Sequence, residues 1–330
     1  MKAFLFGAGS TVGTLPKCYP LPAAANQFGK AISDIAGWQN EFPALARVAD
    51  HLGQPLAELS LERVWSCIDF YAKLQDALPP RTWTSESPDL KRALLRLYGA
   101  SCDAAVKGLP NDTTFTLGSL FRNDVQPGDI LVSFNYDTVI ERVAGRFGHR
   151  VRMFCSSIDA SAVWLTKPHG STSWCMDLNS CSLRYVEPDG GPILSSLAES
   201  EVLQRREPLL LGAVPIKSEL ISEVQDAFGF GVIFRTVVLQ WRAVVAAFRD
   251  SQIIIVVGYS FPREDLYGRF LMREGLRVRR RLGMNTPAVE FYELERRKSD
   301  TEDSIRDVLG DSSCSVVYKG PVTSPAAAEP

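Results

Sequence analysis

Short, mostly apolar runs that end in polar or glycine-containing turns are the feature that most constrains how this chain can fold. Residues 3–6, 130–134, 162–166 and 252–257 are such runs, and a polar turn follows each of them directly. Runs of four to six residues that are bounded by turn signals predict buried strands. Because strands that are buried on both faces are typical of parallel sheets, the pattern favours a parallel sheet.

Amphipathic helical patterns separate the predicted strands. The clearest of them runs over residues 234–248, and a final strand is predicted over 289–294, whereas residues 178–191 are predicted to form a polar loop. Strands that alternate with amphipathic helices predict a Rossmann-like α/β fold, in which a mostly parallel sheet carries helices on both faces.

One long segment departs from this alternation. Residues from about 27 to 112 carry helical patterns broken by proline and polar stretches, which predicts a helical insertion. We expect one nucleotide-binding domain over residues 1–318 that includes this insertion. Residues 319–330, rich in proline and alanine, are expected to form a disordered tail.

Composition excludes several classes of protein. Of 330 residues, 45% are hydrophobic and 22% are charged, and 36 basic against 38 acidic residues leave a net charge of −2. The charge balance argues against direct nucleic-acid binding through bulk charge, and no apolar run approaches the ~20 residues of a membrane span. The apolar run near the N-terminus is shorter than the apolar region of a secretory signal peptide. We therefore expect a cytoplasmic protein without membrane association.

Cysteine usage fits the same compartment. The chain has seven cysteines, an odd number, and no CxxC pair. Structural zinc sites usually take their ligands in close pairs, so we expect reduced thiols and no metal.

The first glycine turn could expose backbone to a phosphate. Gly7, Ala8, Gly9, Ser10 and Thr11 follow the first predicted strand. Glycine removes the Cβ that would block an approaching ligand, and amides at a helix start attract anionic oxygen. The spacing G-x-G-x-x-x-G does not match the dinucleotide fingerprint, so an ordinary strand-to-helix turn is the alternative.

The second and third turns carry an amide, a carboxylate and an imidazole. Asn135 could orient a water or a ribose hydroxyl, or it could satisfy loop backbone. Asp137 could act at the site or cap the next helix, at whose start Thr138 and Glu141 have capping-box spacing. Of the three histidines, His169 alone follows a predicted strand, where its imidazole could transfer a proton near neutral pH.

The fourth turn and the last predicted strand offer further polar groups. Gly258, Tyr259 and Ser260 could hold a ribose or a phosphate. Glu293 or Glu295 could bind ribose hydroxyls as acidic residues do in dinucleotide folds, although a solvent-facing position is the favoured alternative.

A basic run lies on the predicted helix that follows this turn. Arg277, Arg279, Arg280 and Arg281 are spaced along it. Such runs more often mark a solvated helix face than a nucleic-acid site, although an acidic partner is an alternative.

Taken in order, four blocks resemble the sirtuin-like (silent information regulator) superfamily. They are Gly-Ala-Gly-Ser at 7–10, Ser-Phe-Asn-Tyr-Asp at 133–137, Lys-Pro-His-Gly-Ser at 167–171 and Gly-Tyr-Ser-Phe at 258–261, the last followed by Asp265. The Asn-Tyr-Asp and Gly-Tyr-Ser-Phe forms are more similar to the bacterial sirtuin-like NAD-hydrolysing domains of anti-phage defence than to protein deacetylases.

The resemblance implies a Rossmann-like domain that binds NAD as its substrate and cleaves the nicotinamide–ribose bond without a metal. Carried over by position, Asn135 and His169 would be the catalytic pair. The turn over residues 7–11, with Asp137 and the turn over 258–260, would hold the rest of NAD. The zinc ribbon of deacetylating sirtuins is missing and Pro168 replaces the family's leucine, which puts protein deacylation in doubt.

The leading hypothesis is therefore an NAD glycohydrolase that releases nicotinamide and ADP-ribose in anti-phage defence. A non-catalytic module that binds NAD or ADP-ribose is one alternative, and an NAD-dependent protein deacylase or ADP-ribosyltransferase is another. Because the predicted domain uses nearly the whole chain, we expect control to come from a homo-oligomer or a regulatory partner protein.

Overall fold

The fold is that of an α/β protein. A computed structural model describes residues 1–15, 27–74, 86–100, 102, 106–153, 160–177, 182–185, 206–210, 231–263, 265–310 and 314–324. In these ranges a parallel sheet carries helices on both faces, which confirms the Rossmann-like α/β fold class predicted from the sequence. No helix within them is long and apolar enough to cross a membrane.

The large sheet places the first strand at its centre. Its seven strands are all parallel and lie in the order β10-β9-β8-β1-β2-β4-β3. All four runs that the sequence predicts as buried strands lie next to one another, as β8, β1, β2 and β4. The strands are β1 (Lys2–Phe6), β2 (Ile130–Ser133), β3 (Val151–Met153), β4 (Val163–Thr166), β8 (Ile253–Val257), β9 (Ala288–Tyr292) and β10 (Val316–Gly320).

Alternate side chains of each central strand enter two separate hydrophobic cores. Phe4 and Phe6 of β1 pack on one face of the sheet, and Ala3 and Leu5 pack on the other. This is the period of two that a strand imposes, and it shows why both faces need a helical cover.

The helices divide between the two faces and a third core. The described α-helices are α1 (Ala8–Thr14), α2 (Phe28–Ser33), α3 (Trp38–Glu41), α4 (Pro43–Leu52), α5 (Leu61–Leu74), α6 (Glu86–Leu94), α7 (Thr116–Asn123), α8 (Val139–Arg146), α9 (Gly231–Asp250), α10 (Leu266–Arg281) and α11 (Lys298–Leu309). Helices α7 and α8 cover the face of Phe4. Helices α10 and α11, with the C-terminal half of α9, cover the face of Leu5.

A third core belongs to the helical segment. All elements described between residues 27 and 100 are helical, including a 3-10 turn over Leu56–Glu58 and a π-helix over Leu95–Ala100. Their apolar side chains form a cluster separate from the two sheet cores, and one residue from outside the segment, Tyr136, joins it. The helical segment therefore contacts the main domain beside the turn that follows β2.

A small antiparallel sheet corrects one prediction. Strands β5 (Gly170–Asp177), β6 (Ser182–Tyr185) and β7 (Arg206–Leu210) pair in the order β6-β5-β7. The polar loop predicted over residues 178–191 is therefore wrong for 182–185, which form β6; residues 178–181 and 186–191 lie outside the described part. Backbone pairing with β5 makes this polar stretch a strand.

Regular structure continues further toward the C-terminus than the sequence predicted. Strand β9 is not the last strand, because α11 and β10 follow it. Beyond β10, Val322 is buried and the backbone N–H of Thr323 donates to Thr116 Oγ1 at 2.8 Å. The disordered tail predicted over residues 319–330 is therefore wrong for residues 319–323, and residues 325–330 lie outside the described part.

The basic run on α10 is largely engaged in structural contacts. Buried Arg279 donates to the carbonyls of Arg249 at 2.8 Å and Ser251 at 2.7 Å, which lie at the C-terminal end of α9. Arg280 donates to Leu309 O at the end of α11, and Arg277 pairs with Glu274. Arginines at helix C-termini satisfy carbonyls that have no partner within the helix.

We expect Arg279→Ala to lower the free energy of unfolding by about 1–3 kcal/mol, because it leaves buried carbonyls without a donor. Chemical denaturation followed by circular dichroism measures this. Arg281→Ala, on an exposed position of the same run, is the matched control and should change stability by less than about 0.5 kcal/mol. Equal losses in the two variants would contradict the structural role of Arg279.

Candidate active site

The candidate site lies where the four central strands end. Strands β8, β1, β2 and β4 are adjacent and parallel, so their carboxyl ends share one edge of the sheet. Ligands of open α/β sheets bind at this edge, where the loops converge. The turns after Phe6, Ser133, Thr166 and Val257 are the four polar turns singled out in the sequence.

The turns after β1 and β8 pack backbone against backbone. Gly9 N–H donates to Gly258 O at 2.9 Å, and Gly7 N–H donates to Val257 O at 3.2 Å. A Cβ on Gly7 would lie 2.6 Å from Gly258 O. Gly258 has φ +58°, and a Cβ there would lie 2.2 Å from the backbone nitrogen of Ser10. These glycines are required for the two turns to meet, and within the turn predicted to expose backbone to a phosphate the Gly9 amide is already bonded.

Asn135 is anchored to the turn after β1. Its side chain is buried, and Nδ2 donates to Gly7 O and to Thr11 Oγ1, both at 2.9 Å. Because the Gly7 carbonyl can only accept, the amide nitrogen must face it. The Oδ1 atom of Asn135 is therefore directed away from this turn.

Asp137 links the same turn to helix α8. Its Oδ2 accepts from Thr11 Oγ1 at 2.8 Å, and its Oδ1 accepts from Val139 N–H at 3.0 Å. Burial raises the pKa of the Asp137 carboxyl, and the positive charge of Lys167 partly offsets this. Asp137 thus satisfies the helix start, which was the alternative that the sequence left open.

The capping box predicted for α8 is not formed. Thr138 occupies the N-cap position without a side-chain bond to the helix backbone. Its Oγ1 instead accepts from Arg142 Nε at 3.1 Å, and Glu141 pairs with Lys167. The prediction was wrong because Thr138 takes a side chain on the next turn of its own helix and Glu141 takes the buried Lys167.

A buried ion pair ties the second turn to the third. The Lys167 side chain is 0% exposed, and Nζ lies 2.9 Å from Glu141 Oε1 and also donates to the backbone carbonyl of Asp137. Its backbone N–H donates to Gln240 Oε1 of α9 at 3.0 Å. Sequence reasoning missed this pair, because lysine is seldom fully buried and nothing in its neighbours signals the burial.

His169, which follows β4, pairs with the carboxylate of Asp265, which lies between β8 and α10. Its side chain is 16% exposed, and Nε2 lies 3.3 Å from Asp265 Oδ1. Asp265 Oδ1 also accepts from Gly268 N–H at 3.0 Å and so caps α10, and Oδ2 accepts from Tyr259 Oη at 2.7 Å.

Aromatic rings surround this pair. Phe134 stacks on Tyr259 with ring centroids 4.3 Å apart, and the His169 ring lies edge-on to Phe134 at 5.3 Å. Phe134 directly precedes Asn135 in the chain, so the imidazole contacts the residue next to the one that carries the amide. The hydrogen bonds of Asn135 run to the turn after β1. His169 contacts Asp265 at the start of α10 and also the rings of Phe134 and Tyr136 in the turn after β2.

The remaining predicted residues follow β1, β8 and the neighbouring strand β9. Ser10 donates through Oγ to Gly7 O at 2.7 Å, Ala8 is half-buried at the start of α1, and Ser260 is half-buried beside Tyr259. Glu293, after β9, is buried rather than solvent-facing, and its Oε2 has no hydrogen-bond partner among the described residues; Glu295 is exposed.

The fold and the polar strand ends define a Rossmann-like α/β protein with a candidate site at the carboxyl edge of its sheet. No protein-family model matches the sequence, and no curated protein matches it. Among solved structures, the chain is similar to a mutant of Sir2 homologues in complex with 2'-O-acetyl ADP ribose. The two share 12% sequence identity with a TM-score of 0.33 over 94% of each chain.

We expect Gly258→Ala to be much more destabilising than Gly283→Ala. Both glycines have a left-handed φ, +58° and +69°, but a Cβ on Gly283 would meet nothing within 4 Å. Gly283→Ala should therefore cost about 1–2 kcal/mol from conformation alone. Gly258→Ala adds a backbone clash worth roughly 1–3 kcal/mol more. Denaturant unfolding of both variants measures the difference, and equal losses would show that the two turns do not need this contact.

Asp137→Asn should change how stability depends on pH. Since burial raises the folded-state pKa, folding favours the protonated carboxyl, and wild-type stability falls as pH rises from the ordinary value of 3.8 through the raised value. Asparagine cannot ionise, so the wild-type stability minus that of the variant should decrease over this window, by at most about 1.4 kcal/mol per pH unit.

Urea unfolding of both proteins at several pH values measures this difference. Asp112→Asn is a control of opposite sign, because hydrogen bonds from Thr114 lower the pKa of the exposed Asp112. A wild-type advantage over Asp137→Asn that grows with pH would contradict the raised pKa.

Proposed function

We propose that this chain binds NAD at the carboxyl edge of the sheet and hydrolyses the bond between nicotinamide and ribose. The observation that carries the proposal is the His169–Asp265 pair, an imidazole oriented by a carboxylate at the edge where such folds bind nucleotides. Anchored Asn135 follows the neighbouring strand β2, so an amide and an imidazole are available at adjacent strand ends.

The reaction needs orientation more than a strong nucleophile. The bond between C1′ of the ribose and the pyridinium nitrogen breaks, and its electron pair stays with nicotinamide, which leaves as a neutral molecule. A water oxygen bonds to C1′, and His169 accepts the proton that this water loses, or a proton from a ribose hydroxyl. Charge develops on the ribose in an oxocarbenium-like transition state, so fixed dipoles near it lower the barrier.

Asn135 would supply one such dipole. Its amide nitrogen is held by Gly7 O and Thr11 Oγ1, so Oδ1 has a fixed direction away from the turn after β1. A fixed carbonyl oxygen can accept from a ribose hydroxyl or from the attacking water. Because the protein scaffold holds the amide in place, little reorganisation is needed during the reaction.

The rest of NAD would lie along the two interlocked turns. Residues 7–11 and 258–260 are side by side, which supports a joint role in holding the pyrophosphate and adenosine half. Buried Glu293, with Oε2 unpartnered among the described residues, stands after the next strand, β9, and could accept from the hydroxyls of the adenosine ribose.

The biological role and the control of the activity are part of the same proposal. The resemblance of the four sequence blocks to sirtuin-like domains of anti-phage defence supports a cytoplasmic NAD-depleting enzyme. Since such an activity would exhaust the cell's NAD, a homo-oligomer or a regulatory partner would restrain it until infection.

We expect the purified protein, alone or at high concentration, to convert NAD to nicotinamide and ADP-ribose. His169→Gln should lower kcat about 100-fold or more, the usual contribution of a positioned general base. Asn135→Ala should also lower activity, and its thermal stability should be recorded, because the substitution removes two buried hydrogen bonds. His51→Gln, at an exposed position of the helical segment, is the control and should keep full activity. Chromatography of the products measures all four proteins.

The products separate the competing functions. Calorimetric binding of NAD without release of nicotinamide would replace hydrolysis by a sensing role. Deacylation of an acyl-lysine peptide would indicate a deacylase. Full NAD hydrolysis by both His169→Gln and Asn135→Ala would contradict the assigned pair.

A further inference from the structure

The placement of Asp265 exceeds what a helix cap requires. A cap needs one side-chain oxygen that accepts from the helix backbone, and Ser, Thr or Asn would serve as well. Here the carboxylate is only 9% exposed, and both of its oxygens are used across three elements: Gly268 of α10, Tyr259 of the turn after β8, and His169 after β4.

The chemistry of the contact fixes the proton on the imidazole. An ionised carboxylate can only accept hydrogen bonds, so the 3.3 Å contact with Asp265 Oδ1 requires Nε2 of His169 to carry a proton. In the neutral ring Nδ1 is then the nitrogen that accepts a proton. A carboxylate–imidazole contact of this kind also favours the charged ring.

We propose that Asp265 is a positioning residue for His169, which it holds through Nε2 in one orientation and one tautomer so that Nδ1 serves as the base. The role of this base in catalysis rests on the proposed NAD hydrolysis, whereas the positioning itself is a property of the protein without substrate.

Tyr259 holds the second oxygen of the Asp265 carboxylate. Its ring is fixed by stacking on Phe134, and its hydroxyl donates to Asp265 Oδ2 at 2.7 Å. Burial and the neighbouring Asp265 charge raise the pKa of Tyr259 well above its usual value, so the phenol stays a donor. A donor on Oδ2 withdraws charge from the carboxylate and therefore moderates its pull on the imidazolium.

The other charged groups near the pair are already matched. Lys167, two residues before His169, is paired with Glu141. Arg269, on the first turn of α10, donates to Phe261 O and pairs with Asp307. Tyr136 lies against the imidazole with ring centroids 6.4 Å apart, and burial and the Asp265 charge raise the pKa of its phenol. Among the described residues, Asp265 is the carboxylate in hydrogen-bond contact with His169, and Glu62 acts with it on the neighbouring Tyr136.

The test is an NMR titration of the three histidines in the 330-residue chain without NAD. A His169→Gln variant assigns the resonance. We expect Asp265→Asn, which keeps acceptors for Gly268 N–H and a similar shape, to lower the His169 pKa by about 1–2 units. Tyr259→Phe, which keeps the ring stack but removes the hydroxyl, should shift it in the opposite direction. Asp124→Asn removes an equal charge beside Lys2, at the amino end of β1, and should leave His169 unchanged.

Opposite shifts in the two variants support the proposal. A His169 pKa that stays the same in both, with folded spectra, would reduce Asp265 to a helix cap and overturn it. Should Asp265→Asn fail to fold, Tyr259→Phe alone decides the test. An unchanged or lowered His169 pKa in Tyr259→Phe would contradict the positioning of His169 by Asp265. A wild-type neutral imidazole protonated on Nδ1, seen in nitrogen chemical shifts, would also contradict it.

Activity measurements separate this proposal from the proposed function. With NAD hydrolysis present, Asp265→Asn should lower kcat more than it raises KM and should shift the acidic limb of the pH–rate profile downward, in step with the His169 pKa. If no NAD hydrolysis is found but the NMR shifts occur, the proposed function fails and the positioning stands. If the protein hydrolyses NAD and Asp265→Asn does not shift the pH–rate profile, the proposed function stands and Asp265 has no positioning role in it.

Discussion

The contact between the turn after β1 and the turn after β8 is the constraint on which the candidate site depends. Gly9 N–H donates to Gly258 O, and neither Gly7 nor Gly258 has room for a Cβ. This contact holds the Gly7 carbonyl where the Asn135 amide donates to it. It also fixes the backbone at Gly258, directly before the segment that carries Tyr259 and Asp265 to His169. One backbone contact thus sets the position of both sides of the site.

Local patterns were sufficient for the centre of the fold. The four apolar runs with polar ends became the four central strands, because buried parallel strands need continuous apolar residues and their ends must turn. The edges were harder to predict. Strand β6 (Ser182–Tyr185) alternates polar with apolar residues and β10 (Val316–Gly320) is half-exposed at the sheet edge, so neither shows the continuous apolar run that marks the central strands.

The candidate site was predictable in its residue types but not in its partners. The placement of Asn135 and His169 after strands follows from local sequence. The pairing of His169 with Asp265 spans 96 positions, and that of Lys167 with Glu141 depends on burial that no local signal marks. Competition among partners also decides details such as the failed capping box, where Glu141 takes a buried lysine instead of the helix backbone.

Tyr136 joins the site to the helical segment. It stands between Asn135 and Asp137, and its ring lies in the core of the helical segment, 6.0 Å from Tyr98 of the π-helix. Its backbone carbonyl accepts from Thr172 N–H at 2.9 Å, which fixes the start of β5 just after His169. A shift of the helical segment at Tyr98 would therefore move the turn that carries Asn135 relative to the strand that follows His169.

The turn that carries the amide is held by two hydrophobic cores at once, that of the sheet through Phe134 and that of the helices through Tyr136. The geometry of the site is in this way a property of both units together.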